Sequence, residues 1–174
     1  QLLRNVKFSN CGISTLGTIR GCSPKRLPEF QPGGSCLIAP EGTFEEVQLM
    51  ARITTQAACK APNRRFVLRL HPVMHKKSVF RMIKNSMNIP QNFFFSENTL
   101  EEDLLTASWI CYRGSSVAFQ GILAGLRPIY LNSQKDVSEN NAIPENVTLS
   151  RVVNKPEELV AVIEQDCERP WGAR

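Results

Sequence analysis

From residue 35 onward, short apolar runs alternate with longer stretches of helical periodicity, and no other feature of the sequence narrows the possible folds as far. The apolar runs are SCLIAP (35–40), RFVLRL (65–70), NFFF (92–95), SWICY (108–112), PIYL (128–131) and a short one at 151–153. Between them lie TFEEVQLMARITTQAACK (43–60), a basic stretch at 75–86, and helical patterns at 99–107, at 115–123 and after 154. Short continuous apolar runs are the pattern of strands covered on both faces. Strands joined through helices over such short spans lie parallel, with right-handed crossovers. The sequence therefore predicts a Rossmann-like α/β domain, a mostly parallel sheet with helices on both faces.

The breaks support this reading. Thr43 with Glu46, and Thr99 with Glu102, have the spacing of capping boxes, in which each side chain satisfies the other's exposed amide. Asn154 with Glu157 is expected to cap the last helix, with Pro156 in its first turn, where a missing N–H costs little. Residues 1–34, with GCSPKRLPEF and QPGG, are rich in Pro and Gly and read as a connecting segment from a preceding N-terminal domain. Residues 35–174 are expected to form the nucleotide-binding domain itself. The first residue is Gln, which leads to the expectation of a piece of a longer protein. The polar stretch 132–150 is expected to be a surface loop.

A chain of 174 residues suffices for one domain with a sizeable core. Its net charge of +5 favours anionic ligands or surfaces. The basic residues are scattered, apart from small clusters such as Lys25-Arg26, Arg64-Arg65 and Lys76-Lys77, and lack the interleaved aromatics of RNA-binding motifs, so no nucleic-acid partner is expected. The cysteines at 11, 22, 36, 59, 111 and 167 form no CxxC pair, and His71 and His75 complete no zinc spacing. No metal site and no cofactor are expected. Cys36, Cys59 and Cys111 lie in apolar segments as small hydrophobes, which suits a reduced, cytoplasmic protein.

In an open parallel sheet, ligands gather at the carboxyl ends of the strands. This selects Pro40-Glu41-Gly42, His71-Pro72, Ser96-Glu97-Asn98, Arg113-Gly114-Ser115-Ser116 and Asn132-Ser133. The two serines admit two readings. Ser115 could be an ordinary N-cap with Ser116 at the first helical position. Alternatively both hydroxyls hold an anion at a helix start, with Gly114 letting it approach the backbone. His71 ends a strand at the same edge of the sheet, either satisfied by a backbone carbonyl or donating to a phosphate. His75 is expected to face solvent. Glu41 is either a first-turn acid complementing the helix dipole or a polar contact near the substrate.

LRLHP (68–72), followed by GSSVAFQGILAGLRPIYL (114–131), resembles the HP and SS motifs of glycosyltransferases that use cytidine nucleotides. These include bacterial sialyltransferases and polysialyltransferases, capsule Kdo transferases and CDP-glycerol glycerophosphotransferases, all of the two-Rossmann B-type architecture. LEEDLLTASWIC (100–111) is similar to the segment that precedes the SS motif. The resemblance runs from about Cys36 to Glu164 and corresponds to the C-terminal, donor-binding half.

The resemblance implies that His71, followed by Pro72, is catalytic and contacts the donor phosphate. Arg113, Gly114, Ser115 and Ser116 would form the phosphate-holding turn. Ser96 and Glu97 would lie against the base, and Glu41 and Gly42 near the donor. Gln120 would meet the ribose, where many such enzymes carry Glu. It implies a CMP- or CDP-activated donor and a glycan acceptor; the basic charge balance suits a lipid-linked acceptor and peripheral contact with a membrane surface. The acceptor-activating base would belong to the N-terminal domain, leaving this chain to bind donor without turnover. A phosphosugar-binding regulatory or isomerase-like domain, a non-catalytic interaction domain and a UDP-linked donor remain alternatives.

Overall fold

The computed structural model describes residues 30–132 and 151–168. In chain order the elements are β1 (Ser35–Ala39), α1 (Phe44–Lys60), β2 (Phe66–Leu68), α2 (Lys76–Ser86), β3 (Phe93–Phe95), α3 (Leu100–Thr106), β4 (Ala107–Tyr112), α4 (Val117–Leu123), β5 (Arg127–Leu131), β6 (Arg151–Val153) and α5 (Pro156–Glu168). The strands form one six-stranded sheet in the order β3-β2-β1-β4-β5-β6, and every neighbouring pair is parallel. This is the expected Rossmann-like architecture. The direction of winding reverses between β1 and β4, so a crevice opens above their carboxyl ends.

The strands are buried on both sides because the chain covers both. Along β1, Cys36 and Ile38 join the core shared with α1, α2 and α5, while Leu37 and Ala39 face Leu104 of α3 and Val117 of α4. β4 repeats the division, with Trp109 and Cys111 on the first side and Ile110 and Tyr112 on the second. Leu37 and Ile38 are wholly excluded from water, which contributes about 1.5–3 kcal/mol for each such side chain.

The caps differ in detail from the spacing rules. In α3 the box is complete: Thr99 Oγ1 accepts from the Glu102 amide and Glu102 Oε2 accepts from the Thr99 amide at 2.8 Å. In α1 only half forms. Thr43 Oγ1 accepts from the Glu46 amide, but the Glu46 carboxylate turns away to accept the Glu41 N–H at 2.9 Å. At α5 the reaching carboxylate is Glu158, not Glu157; its Oε2 accepts the Asn154 N–H at 2.7 Å, because the helix starts at Pro156 and places Glu158 on that side. Glu157 instead pairs with Lys60 on α1.

Most of the expected connecting segment (1–29) and of the expected surface loop (133–150) lies outside the described residues, as do Cys11, Cys22 and Ser133. The described end of the segment packs on the domain: Phe30 meets Trp109 edge-on and lies 3.8 Å beneath the Arg127 guanidinium, and the Gly34 N–H donates to Ser108 Oγ. Cys36 and Cys111 are buried free thiols, as expected of small hydrophobes; Cys59 is exposed instead, because it falls on the outward side of α1.

Candidate functional site

Three strand ends shape the crevice. Pro40 and Glu41 follow β1, residues 69–72 follow β2, and residues 114–116 lead from β4 into α4. Together with Val117, Gln120 and Leu100 they enclose a cleft of about 450 Å3. Of the residues singled out in the sequence, Glu41, His71, Pro72, Gly114, Ser115, Ser116 and Gln120 all line it.

His71 is exposed at the rim. Its Nδ1 accepts the Val73 N–H at 3.3 Å, which leaves Nε2 as the proton-bearing nitrogen of the neutral ring and a hydrogen-bond donor. Gly42 stands behind it at φ 138°, and a Cβ there would come within 3.2 Å of the His71 ring. A side chain at 42 would be strained in that backbone region and would displace the imidazole.

The serines do not cap α4. Ser116, not Ser115, occupies the N-cap position, its backbone already helical at φ −66° and ψ −13°, and its side chain makes no capping bond. Ser115 is buried one residue earlier, Ser116 is exposed, and neither hydroxyl has a hydrogen-bond partner among the described residues. Of the two readings of the serines, the ordinary Ser115 cap does not hold: the chain turns helical one residue later than the apolar pattern suggests. Gln120 lies four residues on from Ser116, hence on the same side of the helix. The Glu41 carboxylate rests on Gly114, so that any Cβ at 114 would overlap it.

The remaining residues of the expected site lie elsewhere. Arg113 is buried and points Nη1 at the Leu131 carbonyl 3.0 Å away, tying the end of β4 to the end of β5. Ser96 and Glu97 line a smaller neighbouring cleft of about 190 Å3, which shares the wall from Arg69 to Pro72 with the larger one. The Ser96 hydroxyl donates to Asp103 at 2.6 Å, and Glu97 pairs with Lys76 at 2.6 Å. That exposed pairing holds the Glu97 carboxyl below its ordinary range, the Lys76 hydrogen bond being the largest cause.

Two carboxylates that were not among the expected site residues shape the site. Asp103, almost wholly buried, accepts from Arg69 Nη1 at 2.7 Å, from Ser96 Oγ and from Asn98 Nδ2, binding the β3–α3 loop to the end of β2. Its charge balances Arg69, the one arginine lining the large cleft among the described residues. Glu46 is buried beneath the β1–α1 loop. Oε2 holds the Glu41 amide while Oε1 has no partner among the described residues. Burial raises its pKa, against the lowering effect of the Glu41 amide. Neither pattern is visible as a motif, although an acid at the third helical position of α1 was itself a signal.

The cleft therefore presents a ring N–H, two free hydroxyls and a side-chain amide, opposed by one carboxylate. Among the described residues no group of three His, Cys, Asp or Glu is arranged to hold a metal ion.

No family model and no curated protein sequence matches the chain. Solved structures do. The glycotransferase of kitacinnamycin is similar at TM-score 0.54 and 12% identity, over 91% of this chain and 40% of that one. TarM is similar at 0.53 and 13% over 82% and 29%, and the Methanocaldococcus jannaschii UDP-GlcNAc 2-epimerase, solved with UDP-GlcNAc and UDP, at 0.53 and 14% over 78% and 39%. The chain spans two fifths or less of the length of these three proteins. The likeness is one of fold: a Rossmann-like parallel α/β domain of the kind found in these larger proteins, a glycotransferase and a nucleotide-sugar epimerase among them.

Proposed function

We propose that the chain is the donor-binding domain of a glycosyltransferase that uses a cytidine nucleotide donor, a CMP-sugar or a CDP-polyol. The observation that carries this reading is that His71, after β2, and Ser115, Ser116 and Gln120, after β4, line one cleft at the switch point of the sheet. A phosphate seated there would accept from His71 Nε2–H and from the two hydroxyls, which have no other partner among the described residues. Gln120 would reach the ribose hydroxyls. With a CMP-sugar the bond between the transferred carbon and the phosphate oxygen breaks, and with a CDP-polyol the bond between the transferred phosphorus and the bridging oxygen breaks; in both the electron pair stays on the oxygen of the departing CMP. Donors already aimed at it stabilise the growing charge, and this lowers the barrier without reorganisation.

The acceptor hydroxyl, on a glycan or a lipid-linked glycan, would lose its proton to a base on an N-terminal domain. This chain, which spans two fifths or less of the compared proteins, supplies the donor half. In this reading the enzyme works on the cytoplasmic side of a membrane and needs no metal, because His71 and the serines supply the charge stabilisation.

Isothermal titration with CMP, CDP, UDP and a sugar phosphate tests the reading. Cytidine nucleotides are expected to bind most tightly, and His71→Ala to weaken CMP about tenfold, the value of one hydrogen bond to a charged group. Equal affinity for all four ligands would reduce the cleft to a general anion site. Preference for the sugar phosphate would favour a phosphosugar-binding module.

A further inference from the structure

α2 carries Lys76, Lys77, Arg81 and Lys84 and no acidic residue. Lys77, Arg81 and Lys84 follow the i, i+4, i+7 spacing that sets side chains in one stripe, and all three are exposed. The opposite side of the helix, Val79 and Ile83, is wholly buried in the core. Lys76 is bridged to Glu97, whereas the three stripe residues have no acidic partner among the described residues. α1 and α5 differ, since each opens with two glutamates.

Two apolar side chains accompany the stripe. Phe80, directly before Arg81, is 43% exposed although its ring leans edge-on against Phe95. Val73, in the turn leading to α2, is 74% exposed. A soluble polyanion would match the charges and leave both in water. A bilayer with anionic headgroups satisfies both features: basic side chains gain about 1 kcal/mol each near such a surface, and aromatic rings settle at headgroup level.

We propose that α2 is a docking surface for an anionic lipid bilayer, with Lys77, Arg81 and Lys84 against the headgroups and Phe80 entering the interface. The helix follows His71 by one short turn, and Lys76 lines the smaller cleft. Docking therefore brings the His71 edge of the sheet close to the membrane, where a lipid-linked acceptor would meet the donor. That consequence rests on the donor-domain reading; the docking does not.

Co-sedimentation of the full chain with phosphatidylcholine vesicles, with and without phosphatidylglycerol, tests the proposal. Binding is expected only with phosphatidylglycerol and should weaken as salt rises. Combined Lys77→Glu, Arg81→Glu and Lys84→Glu should lower it about a hundredfold, roughly fivefold for each basic residue removed. The same variant should bind CMP as the parent does, which separates loss of docking from loss of the donor site. Phe80→Ser should lower vesicle binding about tenfold and keep its salt dependence, as loss of a buried ring predicts. The proposal is overturned if the chain ignores phosphatidylglycerol vesicles or if the triple variant binds them as well as the parent. It is equally overturned if heparin is bound and the vesicles are not.

Discussion

The Glu41 carboxylate lies on Gly114, at the turn that leads into Ser115 and Ser116, so close that a side chain at 114 would have to push it aside. A carboxylate thus occupies the corner of the cleft where a donor phosphate would approach the backbone. The Glu41 amide is fixed from below by Glu46, which holds the loop in that position.

This contact predicts a gain of function by charge removal. A phosphate entering the cleft meets a like charge a few ångströms away. In a solvent-lined pocket that repulsion costs about 1–2 kcal/mol. Glu41→Gln should therefore bind CMP roughly five- to thirtyfold more tightly by titration calorimetry. Weaker binding would show instead that Glu41 contacts the donor favourably.

The free hydroxyls give a second, two-sided prediction. A serine that caps a helix costs about 1 kcal/mol of stability when changed to alanine. Neither Ser115 nor Ser116 caps α4, so Ser115→Ala and Ser116→Ala should unfold in urea at close to the parent midpoint. Each should nevertheless weaken CMP about tenfold, the loss of one hydrogen bond to an anion. A drop in stability with unchanged CMP affinity would return both residues to a purely structural role.

How far the site could be read in advance depended on the range of the forces involved. The strands were legible because burial on both faces demands apolar residues at consecutive positions, and Leu37 and Ile38 face opposite layers yet are equally dry. The cleft residues were legible because strand ends converge by topology alone: His71 and Ser115 follow β2 and β4, and the sheet order separates those strands only by β1. Thr99 and Glu102 were legible because a capping box is local. The diversion of Glu46 was not, since it depends on how residues 40–42 fold back over the helix start. The Arg69–Asp103 pair was not, because it joins residues 34 apart through side-chain geometry that no periodicity records. Arg113 shows the same limit: its neighbours in sequence line the cleft, while its own guanidinium reaches sideways to Leu131.

Glu46 sets a pH dependence. Burial raises its pKa in the folded chain above the ordinary 4.5. The folded state therefore binds the proton more tightly than the unfolded state does. Its contribution to stability is present in full below pH 4.5 and is lost as pH rises through the raised value. Glu46→Gln retains an oxygen for the Glu41 amide and cannot ionise. In urea titrations from pH 4 to 8, the variant should gain on the parent as pH increases and level off once Glu46 is ionised in both states of the parent. A difference that is constant across this range would mean that Glu46 does not titrate differently on folding.

Asp166 lies at the opposite end of the sheet from the cleft. Its Oδ1 pairs with Arg127 Nη1 at 2.6 Å, its Oδ2 accepts the Trp109 indole N–H at 3.1 Å, and Arg127 and Asp166 are 3% and 4% exposed. This pair fastens α5 to β4 and β5 and closes over Phe30. Burial lowers the Arg127 pKa, with Asp166 opposing that effect. Removing the carboxylate takes away the buried partner that opposes the desolvation of this guanidinium, which costs about 3–5 kcal/mol. Asp166→Ala should accordingly lose a substantial part of the stability of a domain this size, read as a large shift of the urea midpoint. Asp166→Asn keeps the acceptor for Trp109 and should lose less. If both variants unfold near the parent midpoint, the ion pair is incidental to the fold and α5 is held chiefly by its apolar face, through Leu159 and Ile163.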